Sequence, residues 1–504
     1  MTLNNLPIWQ TRTWLTGLST LVAASLVACG GGGSGADTAA SASGSETQTY
    51  SGTVSGLGSI VVNGVRFSTT GAETQDGDDP SQPYSSAFKL GATVVVTGSV
   101  NGSEGQATSI QIVGGVRGLV SAADAAAGTL TVAGQAIKID ANTVFDGEGD
   151  ASFSLASIIA AGFGSGALYI EVYGTADETG TILATRIEKK DPTALIYALK
   201  GFVVPGSITS THFTLQIKRG NTLTDQMTVN YSSSDVLPTA RTLSDGIGVR
   251  VLTHTNPTNA TTITARKVLI KTDRHANGTL AKMHGVVKTI NGTTWTVGDV
   301  TVDVSKSPAL LGFTSLSEVL EGTEVRIAGR YDNGVLTARV IESEDYERDR
   351  DHGGVKLFGV ASGVDSTART FSVQGVTVTA AAGLTLPTEG SYVEVIATQL
   401  NGVLTAIHIS GHNATKPFEV FGLASCTNGA SDLRTTFNLT LPLGSVSVDG
   451  SNALLDTDRG VTLSPSDTPK VCLVEVKGTA ATVNGVKTIT ATKIEVKARR
   501  APLI

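Results

Sequence analysis

The sequence has little proline, few aromatic residues and few charged ones. Of its 504 residues, 14 are proline, 5 % are aromatic and 16 % are charged, while 58 are glycine. An apolar fraction of 40 % excludes a disordered chain, and the absence of a Gly-X-Y period excludes collagen. A net charge of −7 excludes a general nucleic-acid-binding protein, because such proteins need a basic face. At roughly 100–200 residues per domain, the length predicts about three to five domains.

Motifs of known catalytic chemistry are also missing. The sequence contains no Gly-x-Ser-x-Gly elbow, no His-Glu-x-x-His motif, no P-loop and no complete Rossmann fingerprint. Among the histidines, only His408 and His412 are four residues apart, and Gly411 between them lies at a predicted strand end, which disfavours a helical metal pair. We therefore predict a non-enzymatic protein with no catalytic residue, no cofactor and no metal site.

Two charged segments and one tryptophan require separate interpretation. Asp76-Gly77-Asp78-Asp79 could hold Ca²⁺ through closely spaced oxygen ligands, or could be a solvated loop; an EF-hand would need Glu where Ala87 stands. Residues 342–352 alternate acidic and basic side chains, which is typical of a self-solvating linker. Trp295 alternates with threonines, which favours a role in core packing over one as a sugar platform.

The N-terminus carries a targeting signal. An apolar run of about 14 residues, 14–27, is too short for a membrane span of about 20 and matches the core of a signal peptide. It ends in Leu26-Val27-Ala28-Cys29, which resembles the lipobox of bacterial lipoproteins. The resemblance implies cleavage after Ala28 and lipidation of Cys29. Gly30 at the next position favours sorting to the outer membrane by the same resemblance, facing either the periplasm or the cell surface.

A glycine-rich segment follows, and two further cysteines lie near the C-terminus. Residues 30–33 are all glycine, and small polar residues continue to about residue 46, which predicts a flexible tether. If Cys29 is acylated, Cys426 and Cys472 remain as an even pair. An oxidising envelope compartment favours a Cys426–Cys472 disulfide, with two unpaired buried thiols as the alternative.

One sequence pattern recurs six times over about 450 residues, a period near 75 that exceeds the 20–50 residues of a solenoid repeat. Each copy contains Gly-x-Val, alternating strands around a glycine, and then Gly-x-x-Val-x-Val. The predicted divisions are a signal peptide 1–28, a tether 29–49, repeats 50–114, 115–193, 194–279 and 280–345, a charged linker 346–354, and repeats 355–414 and 415–504. The third and sixth repeats, 194–279 and 415–504, are degenerate.

The repeats predict an all-β fold, a tandem array of about six small OB-like β-barrel or sandwich domains. Alternating segments such as Glu324-Val325-Arg326-Ile327 indicate strands with one buried face. Asn333-Gly334 favours a type I′ hairpin, and the capping-box pattern of Ser315 and Glu318 predicts a short helix. The charges of residues 186–190 are typical of an edge strand. From this order we expect an extended string of domains, with a radius of gyration well above the compact value of roughly 23 Å.

The glycine and valine frame resembles the tandem domains of bacterial lipoproteins catalogued as domain of unknown function 5666. The likeness is closest in the first, second, fourth and fifth repeats. Its motifs are structural, so the resemblance implies a fold and no catalytic residue. We therefore expect a lipid-anchored envelope scaffold or binding protein whose partners are the membrane and an envelope protein or glycan, with no nucleic acid. A glycan-binding module using OB-like faces is the alternative, and an enzyme with an unrecognised site the third hypothesis.

Overall fold

Strands make up most of the chain that the structure describes. The structure is a computed structural model, which describes residues 47–500 except 102, 165, 178, 218–225, 240, 271–274, 276, 299, 344–354, 401, 412–417, 442–443, 458–460 and 484–485. Helices in the described residues are short and lie between strands. The all-β class with repeated barrel-like domains is therefore confirmed. Among these residues, no helix combines the length and the apolar character that a membrane crossing requires.

The strands group into six barrels in chain order, counted over the described residues. Barrel 1 contains β1 Thr47–Leu57, β2 Ile60–Val62, β3 Val65–Ser68, β4 Glu73–Gln75, β5 Thr93–Asn101 and β6 Glu104–Ile112. Barrel 2 contains β7 Val116–Asp124, β8 Thr129–Val132, β9 Gln135–Lys138, β10 Val144–Asp146, β11 Tyr169–Ala176 and β12 Ile182–Lys189. Barrel 3 contains β13 Tyr197–Val203, β14 His212–Gln216, β15 Gln226–Asn230, β16 Val236–Leu237, β17 Gly248–Thr253 and β18 Thr262–Ile270.

The second half of the chain repeats this plan. Barrel 4 contains β19 Thr279–Asn291, β20 Thr294–Val297, β21 Val300–Asp303, β22 Ala309–Leu311, β23 Glu324–Asp332 and β24 Val335–Ser343. Barrel 5 contains β25 Val355–Asp365, β26 Thr370–Val373, β27 Val376–Ala380, β28 Tyr392–Leu400 and β29 Val403–Gly411. Barrel 6 contains β30 Phe418–Ser425, β31 Thr436–Leu441, β32 Gly444–Asp449, β33 Leu454–Thr457, β34 Val471–Val483 and β35 Val486–Arg500. The helices are α1 Leu155–Ala161, α2 Ala430–Leu433 and the 3₁₀ turns Pro192–Ala194, Ser233–Asp235 and Leu316–Glu318.

Every barrel closes through the same circuit of strand pairs. In barrel 1, β1, β2 and β3 form an antiparallel meander, and β3 pairs in parallel with β6. The last strand β6 pairs antiparallel with β5, which closes on β1. The same circuit recurs in the degenerate third and sixth repeats. This is the strand order of an OB-type barrel, so the structure selects the barrel over the sandwich.

Local sequence signals account for the turns and for one helix, and fail at another. Asn333 and Gly334 have φ of 48° and 86°, so the predicted type I′ hairpin between β23 and β24 is confirmed. Ser154 caps α1 with Ser157 in a reciprocal capping box. The box expected at Ser315 is wrong: its side chain caps nothing, and the Glu318 carboxylate instead accepts a 2.8 Å bond from the Thr314 N–H. A single 3₁₀ turn results.

In four of the six barrels, a glycine near the middle of the penultimate strand allows a β-bulge. The pairing register shifts at Gly98, Gly174, Gly329 and Gly478. A Cβ at Gly329 would lie 2.1 Å from the Thr337 carbonyl oxygen on the neighbouring strand. The recurring glycine of the sequence pattern is therefore explained by a close backbone approach.

The barrels do not form the extended string that their order suggested. The parallel pairing of β1 with β19 and with β25 joins barrels 1, 4 and 5, which are not consecutive in the chain. The buried apolar side chains of barrels 2 and 3 form one cluster, and those of barrels 1 and 5 form another. All six barrels belong to one compact unit. The expectation was wrong because interbarrel contacts join residues that are far apart in sequence and carry no periodic signal.

We expect Gly329→Ala to destabilise the protein by about 1–3 kcal/mol, because the new methyl group would overlap the Thr337 carbonyl. Urea denaturation would measure the loss. Gly411→Ala is the matched control, since a Cβ at Gly411 in β29 meets nothing within 4 Å. Equal destabilisation by the two substitutions would contradict the steric explanation.

Candidate functional site

The long loop of barrel 1 lies against barrels 2 and 3. This first-barrel loop, residues 69–92, begins after β3, includes the short β4 and ends before β5. Within it, the Asp78 carboxylate contacts the Arg117 guanidinium of β7 and lies 2.6 Å from Nη1 of Arg250 in β17. One carboxylate of barrel 1 therefore joins a strand of barrel 2 to a strand of barrel 3.

A second carboxylate, that of Glu171, completes this cluster. Glu171 of β11 places Oε1 at 3.3 Å from Nη2 of Arg250, and Oε2 at 3.5 Å from Nε of Arg117. The Arg250 Nε also donates to the Gly115 carbonyl at 2.7 Å, while the Gly115 N–H donates to Glu171 at 3.1 Å. Both guanidinium groups are thus bound by two carboxylates, as buried charges require.

Two glycines between barrels 1 and 2 make room for this cluster. A Cβ at Gly114 would lie 2.4 Å from the guanidinium carbon of Arg250, and a Cβ at Gly115 would lie 2.3 Å from the Val172 carbonyl oxygen. Any larger residue would displace the arginine or the strand. The Gly114-Gly115 pair therefore has a packing role in addition to linking two repeats.

The electrostatics of the cluster favour the ionised state of Asp78. Burial alone would raise the pKa of Asp78, but the guanidinium groups of Arg250 and Arg117 outweigh it and hold the pKa well below its usual range. The neighbouring Asp79 pairs with Lys267 of β18. Burial also opposes ionisation of Asp79, yet hydrogen bonds from Lys267 and Ser81 lower its pKa. The loop is therefore fastened to barrel 3 at two adjacent positions.

The other end of the first-barrel loop is fastened to barrel 2. Nζ of Lys89 lies 3.0 Å from Asp146 and 2.8 Å from Glu188. Arg186 contacts Asp146 and donates to the Leu90 carbonyl at 3.0 Å. Burial works against ionisation here too, but Arg186 and Lys89 lower the pKa of both carboxyls to about 2. The edge-strand interpretation of residues 186–190 is wrong, because β12 pairs with β11 and β9 and its charges point into this junction.

The acidic segment 76–79 of the first-barrel loop was interpreted from the sequence as a calcium-binding loop or a solvated loop, and the structure agrees with neither. Asp78 and Asp79 bind arginine and lysine side chains, and Asp76 accepts the N–H groups of Asp78 and Asp79 at 2.7 and 3.1 Å. The segment is thus neither a calcium loop nor a solvated one. Within the described ranges, no group of three or more histidine, cysteine or acidic side chains is placed to hold a metal ion.

The structure places the remaining sequence candidates apart from one another. Trp295 is 2 % exposed in the core of barrel 4, and its Nε1 donates to the Gly292 carbonyl at 3.3 Å. His408 lies exposed on β29. The Cys426–Cys472 disulfide is present and joins the end of β30 to β34, with a Cα–Cα distance of 5.9 Å. Cys29, His412 and most of 342–352 lie outside the described residues, so lipidation of Cys29 stays a prediction.

Two cavities with both apolar and polar lining residues lie where barrels meet. The first, of about 270 Å³, is bounded by barrels 1, 2, 4 and 5 and is lined by Ser55, Asn63, His284 and Gln399 among others. The second, of about 250 Å³, is bounded by barrels 1 to 4. Thr53 and His284 line both. Nε2 of His284 lies 3.0 Å from the Glu324 carboxylate. These hydroxyl, amide and charged groups could bind a small polar ligand.

Sequence reasoning missed the charged junctions because their members look like ordinary outward-facing residues. Glu171 stands between Ile170 and Val172, and Arg250 between Val249 and Val251. The sequence did offer one signal: a charged residue in the centre of an apolar strand segment, with residues of opposite charge at similar positions in other repeats. It does not identify the partners, because Asp78 and Arg250 are 172 residues apart.

We expect Asp78→Asn to destabilise the protein by about 2 kcal/mol, because it leaves two buried guanidinium groups short of a counter-charge. This loss of unfolding free energy is smaller than the loss expected for a fully buried ion pair, because the Asp78 side chain is 33 % exposed. Urea denaturation at several pH values would measure it. A depressed pKa contributes stability above the usual aspartate range and loses it as pH falls, so the difference from wild type should narrow in acid.

Asp124→Asn is the matched control for this substitution. Asp124 is exposed, and its Oδ1 accepts the N–H groups of Ala126 and Ala127 at 2.8 and 3.0 Å, which an asparagine oxygen also can do. We expect wild-type stability from this variant at every pH. A loss as large as that of Asp78→Asn would show that the junction has no special importance.

Comparison with known proteins gives a family for three of the barrels. The family model described as Domain of unknown function (DUF5666) matches residues 51–111, 117–188 and 284–342, which lie in barrels 1, 2 and 4. No matched segment falls in the fifth repeat, although its sequence pattern suggested one. None of the curated proteins matches the chain.

Among solved structures, one match is described as a multidomain protein with nucleic acid binding domains from Streptococcus pneumoniae TIGR4. It is 10 % identical, and the match covers 44 % of this chain and 74 % of that one. The TM-score of 0.11 is too low to support an argument about fold or function. The three segments in barrels 1, 2 and 4 are therefore DUF5666-like domains, and the other three barrels share their strand circuit.

Proposed function

We propose that this protein is a non-enzymatic, lipid-anchored scaffold or binding protein of the cell envelope, held at the outer membrane through Cys29. The Leu26-Val27-Ala28-Cys29 lipobox and the glycine segment that follows support the anchor. Lipid chains contribute roughly 0.8 kcal/mol per buried CH₂, so several chains hold a protein stably at a membrane. The proposed partners are the membrane itself and an envelope protein or glycan.

The observation that carries this proposal is the position of barrel 1. It is the first barrel after the predicted tether, and it contacts each of the other five. These contacts are Lys89 with Glu188 of barrel 2, Asp78 with Arg250 of barrel 3, β1 with β19 of barrel 4, Arg66 with Phe358 of barrel 5, and Ser68 with Glu419 of barrel 6. An anchor attached to barrel 1 would therefore hold the whole assembly through its most connected part.

The barrel arrangement also suits a structural role. Closed barrels leave no long free sheet edges, and the charged strand residues described above are neutralised within the molecule. Six barrels joined to one another would present a large surface at the end of a tether. Such a body can space or display other envelope components.

A binding module for glycans is the second candidate, and the two interbarrel cavities favour it. Their hydroxyl and amide lining suits sugar hydroxyl groups, and OB-type barrels bind oligosaccharides in other proteins. Calorimetric titration with envelope oligosaccharides would test it. We expect Thr53→Tyr to abolish binding, since Thr53 lines both cavities; failure of the wild type to bind any sugar would remove this candidate.

The anchor is tested with Cys29→Ser in cells. We expect the wild-type protein in the membrane fraction and the variant in the soluble fraction, because serine cannot accept the thioether-linked lipid. Ser34→Ala, in the same glycine-rich segment, serves as the control and should stay with the membrane. Membrane association of the Cys29→Ser variant equal to that of wild type would overturn the lipoprotein proposal.

The face of the membrane is tested by adding a protease that does not penetrate intact cells. Digestion of the repeats on unbroken cells would place them at the surface and favour adhesion or glycan capture. Protection until the outer membrane is permeabilised would place them in the periplasm, and envelope assembly factors or peptidoglycan would then be the partners to examine.

A further inference from the structure

Three buried glutamates of barrel 6 face a short segment of barrel 1. Glu419 of β30, Glu475 of β34 and Glu495 of β35 are 1 %, 0 % and 3 % exposed. They meet residues 68–71, where β3 ends and the first-barrel loop begins. We name these glutamates and this segment the glutamate junction.

Barrel 1 supplies an unusually dense set of donors to Glu419. Its carboxylate accepts bonds from the hydroxyl groups of Ser59 at 2.9 Å, Ser68 at 2.8 Å and Thr70 at 2.9 Å. It also accepts the Thr69 N–H at 3.2 Å. A second backbone donor, the Gly71 N–H, lies 2.9 Å from Glu495. Barrel 6 is therefore held by carboxylates that replace water around polar groups of barrel 1.

A single hydroxyl lies between two of the carboxyl groups. Oγ1 of Thr69 is 3.2 Å from Oε2 of Glu419 and is also in contact with Oε1 of Glu475. A threonine hydroxyl has one hydrogen to donate. If both glutamates were ionised, one of these contacts would bring two acceptors together. A proton on Glu475 resolves the conflict, because Glu475 then donates to Thr69 while Thr69 donates to Glu419.

The charges around Glu475 come from each element packed against it. Nζ of Lys497 on β35 lies 3.0 Å from both Glu475 and Glu495. Lys477 lies 3.7 Å from Glu419, and Lys493 lies 3.4 Å from Glu495 and 3.2 Å from Asp456 on β33. Burial raises the pKa of Glu475 and Lys497 lowers it; Glu419 raises it, the hydrogen bond with Thr69 lowers it and Glu495 raises it, so that it stands at about 7.

We propose that the glutamate junction is a pH-gated latch, which holds barrel 6 against barrel 1 while Glu475 carries a proton and loosens when Glu475 ionises. The folded pKa lies above the ordinary glutamate value of 4.5. The junction therefore contributes its full stability below about pH 4.5 and loses it as pH rises through about 7. Opening exposes the hydroxyl and N–H groups of residues 68–71, which bind carboxylates in the closed state.

The Thr69 and Gly71 amides report directly on the latch, because their acceptors are the carboxylates of barrel 6. Hydrogen exchange of the full chain, corrected for intrinsic pH dependence, should show their protection falling at least about tenfold between pH 5.5 and pH 8. The reference amides are Gly322 and Val304, whose acceptors lie within barrel 4. Their protection should stay constant.

Glu475→Gln tests the proton itself, since an amide N–H₂ can donate to Thr69 as the acid does. We expect this variant to keep at pH 8 the protection that wild type shows at pH 5.5. Glu389→Gln is the control and should behave as wild type, because exposed Glu389 only accepts the N–H groups of Gly363 and Val364.

Three results would overturn the latch. One is wild-type protection at Thr69 and Gly71 that does not change with pH. Another is an equal loss at the barrel 4 amides, which would indicate global destabilisation. The last is a Glu475→Gln variant with the wild-type pH profile. The wild-type profile decides the matter even if the variant does not fold.

Discussion

The contact of Asp78 with Arg117 and Arg250 is the interaction on which the assembly of the first three barrels depends. Each guanidinium group is removed from water, where an unpaired charge is costly. Arg250 binds carboxylates of barrels 1 and 2, and Arg117 binds Asp78 of barrel 1 and Glu171 of its own barrel. Backbone pairing joins barrel 1 to barrels 4 and 5, whereas side chains of its loop join it to barrels 2 and 3. The first-barrel loop supplies these side chains at both of its ends, through Asp78 and Lys89.

The two charged junctions respond to protons in opposite directions. At the first-barrel loop, cations lower the pKa values of Asp78, Asp146 and Glu188, so these contacts weaken when acid neutralises the carboxylates. At the glutamate junction, burial and neighbouring glutamates raise the pKa of Glu475 to about 7. Both junctions therefore stabilise the contacts between barrels at the same time only between roughly pH 4 and pH 7. The difference arises from burial: Asp78 and Asp146 are partly exposed beside arginine side chains, whereas Glu475 is fully buried near two other glutamates and Lys497.

The degenerate repeats show which parts of the pattern the barrel needs. Barrel 3 closes through the same circuit as barrel 1, although Thr253 stands at its register shift where barrel 1 has Gly98. The circuit therefore does not require a glycine at this position, and the bulge glycine is one of several solutions at a close approach. Barrel 6 likewise keeps the circuit, while its strands contribute the three glutamates that bind barrel 1.

The sequence by itself determined the all-β class, the repeated barrels and turns such as Asn333-Gly334, because these depend on neighbours two to a few residues apart. It also favoured the Cys426–Cys472 pair, since only two cysteines remained. Only the tertiary structure decided how the barrels assemble. Asp78 and Arg250 are 172 residues apart, and Ser59 and Glu419 are 360 apart. A charged residue on a strand has the same local pattern whether it faces water or another barrel, so its partner emerges only when the chain has folded.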